Sequence, residues 1–552
     1  MAGPSYACGT SHTPLIGRTI GAELDRVVAA TPDALAVVSR HQHTRLSYQA
    51  LHVLVERAAR ALLAGGVEKG DRVGIWSGNC VEWMVVQYAT AKIGAILVNV
   101  NPAYRRHELA YALGQSGVSV LVAARTFRHT NYLEILDAVV PELPALRTTV
   151  LIGDASGSMR GWDEFLDTGT AALDAALRQR ESALDFDDPI NVQYTSGTTG
   201  FPKGATLSHH NILNNGFFVG QGCDYTAADR ICMPVPLYHC FGMVMGNLAA
   251  LTHGASVVYP SEAFDPGACL EATQAERCTS LYGVPTMFIA QLQHPDIARY
   301  DLSSLRTGIM AGSPCPVEVM KQAMARMHLR DVTICYGMTE TSPVSFQTSH
   351  KDDLERRTAT VGAVHPHVEA KVIDPETGRT VPRGTPGELL SRGYLVMLGY
   401  WNDEASTRAA IDAAGWMHTG DLAVMRDDGY VNIIGRSKDM VIRGGENIFP
   451  KEIEEFLYQH PKIQDVQVIG VPDVKYGEEL CAWVKLVDGA VVTDDEIRTF
   501  CKGQIASFKI PRYIRFTDAF PMTVTGKVRK VEMREISVKE LGLARAASIE
   551  TA

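Results

Sequence analysis

The first half of the chain alternates between helical and strand-like hydrophobic patterns. After Ser47, a candidate helix cap, apolar residues recur at helical spacing until Gly65-Gly66, and 81–93 is a second predicted helix. Short apolar runs typical of buried strands separate these stretches, at 73–76, 95–100, 118–123 and 149–152. Strands that alternate with helices predict parallel sheets covered by helices.

The pattern changes near residue 437 and predicts a second, smaller domain. Pro450 suits the first turn of a helix, and strand-like alternation follows at 463–468 and 482–486. Thr493 and Glu496 have the spacing of a capping box for a further helix. We therefore predict an α/β protein with domains at 1–437 and 438–552.

Composition limits the functional classes. The 552 residues are 46% hydrophobic and 21% charged, as in globular proteins. A formal net charge of −10 argues against a nucleic-acid partner bound through a basic surface, and it means that local donors must hold any anionic substrate. The most apolar stretch, 85–100, is interrupted by Gln87, Lys92 and Asn99, so no integral membrane segment is expected.

Cysteine usage and the N-terminus bear on the compartment. The 11 cysteines are scattered without a CxxC pair, which is typical of reduced thiols. Residues 1–18 have neither an apolar signal core nor an Arg-rich amphipathic pattern. Both observations favour the cytoplasm.

The segment 194–204, YTSGTTGFPKG, is the most informative motif. Its glycines permit close backbone approach, its hydroxyls and N–H groups can surround a polyphosphate, and Lys203 adds a positive charge. It is not a Walker A loop, because Pro202 stands where that motif requires glycine. A polar turn without a ligand is the alternative interpretation.

Other polar positions are weak signals individually. Thr339 and Glu340 follow an apolar run and could serve phosphate and Mg²⁺, whereas Asp421 could accept hydrogen bonds from a ribose. Lys527 follows Gly526 and, taken alone, would be interpreted as a surface lysine. Templates for a serine nucleophile elbow and for zinc ligation fail, so covalent catalysis by the protein is not indicated.

Together these motifs resemble the adenylate-forming superfamily of acyl-CoA synthetases, nonribosomal adenylation domains and luciferases. The resemblance covers nearly the whole chain through YTSGTTGFPKG, YGMTE, GWMHTGDLA, GYVNIIGRSKDMVIRGGENIFPKEIE and PMTVTGKVRK. The stretch 236–266 is similar to medium- to long-chain fatty acyl-CoA synthetases. The resemblance implies a large N-terminal domain of two αβαβα-type subdomains plus a β-subdomain, and a small mobile α+β C-terminal domain.

The resemblance also implies a reaction and its residues. ATP and a fatty acid would give acyl-AMP and pyrophosphate, with Mg²⁺, and the CoA thiol would then displace AMP. Lys527 would bridge the carboxylate and the α-phosphate, Thr339 would contact that phosphate, Glu340 would hold Mg²⁺, and His239 would gate the path between acyl pocket and thiol tunnel. The implied ATP and AMP site comprises Thr195, Ser196, Gly197, Thr198, Thr199, Gly200, Lys203, Gly312, Ser313, Pro314, Tyr336, Gly337, Asp421 and Arg436.

The remaining implied positions concern a domain rotation. Lys438 matches the hinge, and Gly444, Gly445 and Glu446 match the loop that admits the pantetheine arm of CoA. Without the resemblance, His239 would be interpreted as a packed core histidine.

Several alternatives stay open at this point. The same fold could activate an aryl acid, or it could load a fatty acid onto a carrier protein. A catalytically inactive relative is disfavoured because all of the motifs are present. The sequence does not determine the chain length of the acid or the oligomeric state, and a homodimer is one possible assembly.

Overall fold

The computed structural model describes residues 3–195, 202–313, 315–436, 439–443, 446–523 and 527–543. The described strands are β1 Tyr6–Cys8, β2 Leu35–Ser39, β3 Thr44–Ser47, β4 Arg72–Trp76, β5 Ile96–Asn99, β6 Val118–Ala123, β7 Thr126–Phe127, β8 Thr130–Asn131, β9 Thr148–Leu151, β10 Arg160–Gly161, β11 Pro189–Thr195, β12 Lys203–Ser208, β13 Arg230–Cys232, β14 Ser256–Tyr259, β15 Ser280–Gly283, β16 Thr307–Ala311, β17 Asp331–Gly337, β18 Val344–Gln347, β19 Ala363–Val364, β20 Val368–Ile373, β21 Gly387–Gly393, β22 Gly399–Tyr400, β23 Met417–Met425, β24 Val431–Arg436, β25 Val441–Arg443, β26 Glu446–Ile448, β27 Ile463–Asp473, β28 Gly477–Leu486 and β29 Tyr513–Phe516.

The described α-helices are α1 Ile20–Ala30, α2 Tyr48–Ala64, α3 Val81–Ile93, α4 Arg106–Ser116, α5 Tyr132–Val139, α6 Trp162–Asp167, α7 Asp174–Ser182, α8 His209–Gly222, α9 Cys240–Gly242, α10 Ala249–His253, α11 Pro266–Glu276, α12 Pro285–Leu292, α13 Val317–Arg326, α14 Leu354–Ala359, α15 Glu404–Ala410, α16 Pro450–Leu457, α17 Asp494–Cys501 and α18 Lys530–Glu540. A π-helix, Met243–Leu248, follows α9, and a 3₁₀-helix, Thr339–Thr341, follows β17.

Two large, mostly parallel sheets form the body of the N-terminal region. The first has the order β10-β9-β6-β4-β5-β11-β12-β22, and it is parallel from β10 to β11. The second has the order β19-β18-β17-β16-β15-β13-β14-β2-β3, and it is parallel from β17 to β2. The predicted parallel sheets with covering helices are confirmed.

Helix α3 lies inside the largest hydrophobic core. Twelve of its 13 residues are buried, and its hydrophobic residues pack with those of α1, α2 and the π-helix. A helix surrounded by protein on every side is apolar all round. This environment explains why residues 85–100 form the most apolar stretch of the chain. Among the described residues, no helix is both long and apolar enough to cross a membrane.

A two-stranded sheet, β7 with β8, and two five-stranded sheets complete the α/β architecture. An antiparallel sheet of order β1-β20-β21-β23-β24 is the β-subdomain. The last sheet has the order β26-β25-β28-β27, with β29 pairing parallel to β28, and it has its own hydrophobic core. Because residues 437 and 438 lie outside the described ranges, the boundary between 1–437 and 438–552 stays a prediction.

Local predictions were accurate at helix starts. The Ser47 hydroxyl accepts from the Ala50 N–H at 3.2 Å, and Pro450 is the first residue of α16. The capping box at Thr493 is only half formed. Its hydroxyl accepts from the Glu496 N–H, but the Glu496 carboxylate accepts from Lys462 Nζ at 2.9 Å instead of turning back to the cap. The ion pair between Lys462 and Glu496 therefore replaces the second hydrogen bond of the predicted capping box.

Candidate active site

The predicted phosphate and magnesium residues meet between the two large sheets. Thr195 ends β11 of the first sheet, and Glu340 follows β17 of the second. The Thr195 hydroxyl donates to Glu340 Oε1 at 3.3 Å, and the hydroxyl of Tyr400 donates to the same oxygen at 2.9 Å. Both sheets therefore present strand ends to one location, which is where α/β proteins commonly bind ligands.

The described edges of the phosphate motif are fixed by strand pairing. Thr195 pairs with Lys203 across β11 and β12, which brings the two ends of the motif together. Lys203 Nζ lies 5.2 Å from the ring centroid of Tyr400. The Tyr111 hydroxyl donates to the Pro202 carbonyl at 3.2 Å, which ties the end of the motif to α4. Five predicted phosphate ligands lie outside the described residues: Ser196, Gly197, Thr198, Thr199 and Gly200.

The predicted ribose residues form one hydrogen-bonded group. Asp421 on β23 pairs with Arg436 on β24, and Arg436 Nε donates to Asp421 Oδ1 at 3.2 Å. The Tyr336 hydroxyl donates to Asp421 Oδ2 at 2.7 Å. Burial, with the Asp421 charge, raises the pKa of Tyr336, so it remains a donor. Each carboxylate oxygen can still accept a further bond, and the group can therefore receive ribose hydroxyls.

Two of the predicted nucleotide-binding positions, Gly312 and Gly337, are glycines at strand ends. Gly312, at the end of β16, has φ +91°, and a Cβ there would lie 3.1 Å from Val284 Cγ1. A Cβ at Gly337 would lie 1.7 Å from the Pro343 carbonyl oxygen, so only glycine fits there. The predicted Ser313 follows Gly312, whereas Pro314 lies outside the described residues. Gly337 thus has a steric requirement that is independent of any ligand.

Lys527 enters this region from the C-terminal part of the chain. Its Cε would lie 3.7 Å from a Cβ at Gly312, and it lines a small cavity with His239 and Phe241. Burial lowers the pKa of the Lys527 ammonium, and the Arg436 charge lowers it further. A desolvated cation beside another cation is stabilised by an anion. The arrangement therefore favours an anionic ligand at this point.

His239 lies at the same cavity and is neutral. Its Nδ1 accepts from the Phe241 N–H at 3.2 Å, which caps α9. Burial and the nearby Lys527 charge lower the pKa of His239 to about 3. The neutral ring packs at the cavity without adding charge. This finding accommodates both earlier interpretations, the gate and the packed core residue.

Two residues of the site were not predicted. Tyr400 joins Glu340 to Lys203, although the sequence gives no local signal beyond an aromatic residue after a glycine. Cys240 Sγ donates to Gln193 Oε1 at 2.9 Å, and burial raises the pKa of its thiol to about 12. The neighbouring Thr339 hydroxyl acts in the opposite direction on that pKa.

Of the predicted hinge and pantetheine positions, only Glu446 is among the described residues. Lys438, Gly444 and Gly445 lie outside the described residues. Glu446 begins β26, is exposed, and pairs with Arg443 across the hairpin. The contacts of the described residues do not link Glu446 to Lys527 or Glu340.

Comparison with known proteins identifies the family of this chain. The model of the "AMP-binding enzyme" family matches residues 24–401, and the model of the "AMP-binding enzyme C-terminal domain" matches 452–527. The chain belongs to the AMP-binding enzyme family. It is therefore an enzyme that binds AMP, and ATP use is general in the family.

Similar proteins match over nearly the full length. YngI of Bacillus subtilis (strain 168) is 50% identical over 544 residues, which cover 96% of this chain and 99% of YngI. The mitochondrial medium-chain acyl-CoA ligase ACSF2 of Danio rerio is 45% identical over 554 residues, covering 98% of this chain and 91% of ACSF2.

Solved structures agree with the architecture. The anthranilate CoA ligase AuaEII, in complex with anthranoyl-AMP, matches with a TM-score of 0.84 at 26% identity over 96% of this chain and 99% of AuaEII. ATP-bound MatB from Rhodopseudomonas palustris matches with a TM-score of 0.79 at 30% identity over 94% and 99%. The predicted fold, a large N-terminal domain and a small C-terminal domain of adenylate-forming type, is confirmed.

Proposed function

We propose that the acid activated by this AMP-forming acyl-CoA ligase is a medium-chain fatty acid. The observation that carries the proposal is the full-length similarity to medium-chain acyl-CoA ligases. The cavity beside Lys527 is small and is lined in part by the apolar residues Val235, Phe241 and Val284, so the proposed chain length rests on the similarity alone. The reaction joins an acid to CoA through acyl-AMP.

The first step needs stabilisation of negative charge. A carboxylate oxygen attacks the α-phosphorus of ATP, and the bond from that phosphorus to pyrophosphate breaks. Lys527 places its ammonium at the carboxylate and the α-phosphate, and Thr339 contacts that phosphate. Lys203 and the loop from Thr195 to Gly200 hold the β- and γ-phosphates. Preorganised cations and N–H donors are the main source of rate in such steps.

The donor set around Glu340 fits Mg²⁺. The buried Glu340 carboxylate lies 3.3 Å from the Thr195 hydroxyl, at the start of the phosphate motif. Magnesium typically takes one or two carboxylates together with substrate phosphates. When bound, Mg²⁺ neutralises phosphate charge. Glu340 would hold the ion, and the chain's own cations would serve the α-phosphate.

The nucleoside is held by the β-subdomain. Asp421 and Arg436 bind the ribose hydroxyls, and Gly312, Ser313, Pro314 and Tyr336 form the adenine wall. In the second step the CoA thiol attacks the acyl carbon and AMP leaves. Rotation at Lys438 withdraws Lys527 and brings Gly444, Gly445 and Glu446 to the acyl-AMP, with His239 gating the thiol tunnel.

A substrate series tests the proposal. Pyrophosphate release is measured with saturated acids from acetate to palmitate and with benzoate, each with and without CoA. We expect a maximum between hexanoate and dodecanoate, with thioester formed only when CoA is present. A maximum with benzoate favours an aryl acid, and acyl-AMP without thioester favours a carrier-protein ligase. Either result overturns the proposal.

A further inference from the structure

Tyr400 joins two groups that different segments supply to the candidate active site. Its hydroxyl donates to Glu340 Oε1 at 2.9 Å, and its ring centroid lies 5.2 Å from Lys203 Nζ. We propose that Tyr400 is a positioning residue for ATP: its hydroxyl orients the Glu340 carboxylate toward Mg²⁺, and its ring orients the Lys203 ammonium toward the phosphates. This inference rests on the roles proposed above for Glu340 and Lys203.

The backbone of Tyr400 is fixed without any ligand. Its N–H donates to the Thr407 hydroxyl at 2.8 Å, and the next N–H, of Trp401, donates to the Gly204 carbonyl at 2.7 Å. Gln115 Nε2 donates to the Trp401 carbonyl at 2.8 Å. The backbone at Tyr400 and Trp401 is thus held by β12, α4 and α15, so the position from which the ring extends is set by the protein itself.

The hydrogen bonds to Glu340 are asymmetric. Thr195 and Tyr400 both donate to Oε1, and the described residues give Oε2 no hydrogen bond. A partner that holds one oxygen of a metal-binding carboxylate fixes the orientation of the other. Tyr400 therefore leaves Oε2 as the oxygen available to a cation.

The ring offers Lys203 a partner that does not neutralise it. An aromatic face attracts an ammonium through its quadrupole and carries no net charge. The ion pairs of the described residues include none with Lys203, in contrast to Lys69 or Lys462, which pair with Asp188 and Glu496. The full charge of Lys203 stays available to a polyphosphate.

Nucleotide binding with and without magnesium tests Tyr400 independently of turnover. Calorimetry measures the Kd of a non-hydrolysable α,β-methylene ATP analogue, in Mg²⁺ or in EDTA. We expect Tyr400→Phe to weaken binding in Mg²⁺ about 10-fold, as for other outer-shell partners of metal ligands, and to leave binding in EDTA unchanged. Tyr400→Leu, which also removes the ring, should weaken binding in EDTA by about 3-fold.

Two further variants decide between explanations. Tyr6→Phe is the matched control, since it removes another phenol-to-carboxylate bond, 2.8 Å to Glu369 in the β-subdomain. Binding by Tyr400→Phe that equals that of Tyr6→Phe, or that falls equally in Mg²⁺ and EDTA, overturns the inference. Mg²⁺ should tighten binding of the analogue relative to EDTA in the unmodified protein. If Glu340→Gln shows the same tightening, the proposed metal role of Glu340 itself fails. If Glu340→Gln loses the tightening by Mg²⁺ and Tyr400→Phe retains it, only the proposed role of Tyr400 fails.

Discussion

The proposed ribose-binding group and the proposed catalytic lysine, Lys527, reach the same site by different routes. Asp421, Tyr336 and Arg436 are joined by direct hydrogen bonds, and two of them lie on paired strands of one sheet. Lys527, in contrast, lies in the C-terminal part of the chain, and its backbone is bonded to Thr523. The Lys527 N–H donates to the Thr523 hydroxyl, and the Lys527 carbonyl accepts from the Thr523 N–H.

The difference separates a preformed site from a delivered residue. The ribose group is held within the N-terminal region, whereas the position of Lys527 depends on how the C-terminal part lies against it. A group that must act in one half-reaction and leave for the next is better placed on the second kind of element. The predictions below test this contrast, starting with the largest expected effect.

Removing the Lys527 ammonium should separate the two half-reactions. We expect Lys527→Ala to slow acyl-AMP formation by about a thousand-fold, because a preorganised charge at the reacting phosphorus is lost. Thioester formation from supplied acyl-AMP should change little. Lys539→Ala, at an exposed lysine of α18, is the control. Equal losses in both half-reactions would contradict the idea of a delivered residue.

Removing Asp421 should damage both half-reactions together. Asp421→Ala deletes the acceptor of Tyr336 and Arg436, and charged hydrogen bonds of this kind correspond to about 10- to 100-fold in affinity. We expect the KM for ATP and the inhibition constant of AMP to rise by this factor. Asp427→Ala, at an exposed loop position of the β-subdomain, should leave both unchanged. If Asp421→Ala slows only the first half-reaction, the ribose group behaves like Lys527, and the contrast between a preformed group and a delivered residue fails.

The pH dependence should report the proximity of Arg436 to Lys527. Burial and the Arg436 charge lower the pKa of Lys527, so acyl-AMP formation should decline at a lower pH than an ordinary lysine would allow. The ammonium is present below its pKa and lost above it. Arg436→Gln removes a neighbouring positive charge, raises that pKa, and should move the alkaline limb to higher pH.

The measurement is the pH profile of pyrophosphate release at saturating ATP. The residual rate of Lys527→Ala should have no corresponding limb, which assigns the limb to this lysine. A limb that stays in place in Arg436→Gln would show that the two cations do not interact during the reaction.

The smallest effect is expected where the C-terminal part rests on the N-terminal region. Gln464 Nε2 donates to Gln293 Oε1 across an exposed contact. Because an exposed neutral hydrogen bond contributes little net free energy, Gln464→Ala should change each half-reaction by less than about 2-fold, slowing the first and accelerating the second. Gln459→Ala, at an exposed position beyond α16, is the control. The rates of the two half-reactions are measured separately. A decrease of both rates in Gln464→Ala would argue against a moving C-terminal part.

The sequence alone predicted much of the local structure. Helix α3 and strand β6 have the predicted bounds, 81–93 and 118–123, and β5 is one residue shorter at each end than the predicted 95–100. These signals depend on side-chain periodicity and on the caps of the first turn, which involve residues only a few positions apart. The motif strings likewise identified the family.

Contacts between distant segments were decided by the tertiary structure. Tyr400 is 60 residues from Glu340, and Tyr336 is 85 residues from Asp421, so no local pattern predicts either hydrogen bond. The Glu496 carboxylate met Lys462, 34 residues away, in place of its own cap. Periodicity determines which face of an element is buried. Which polar groups then share a partner depends on how the packed sheets bring strand ends together, and that information lies in the whole fold.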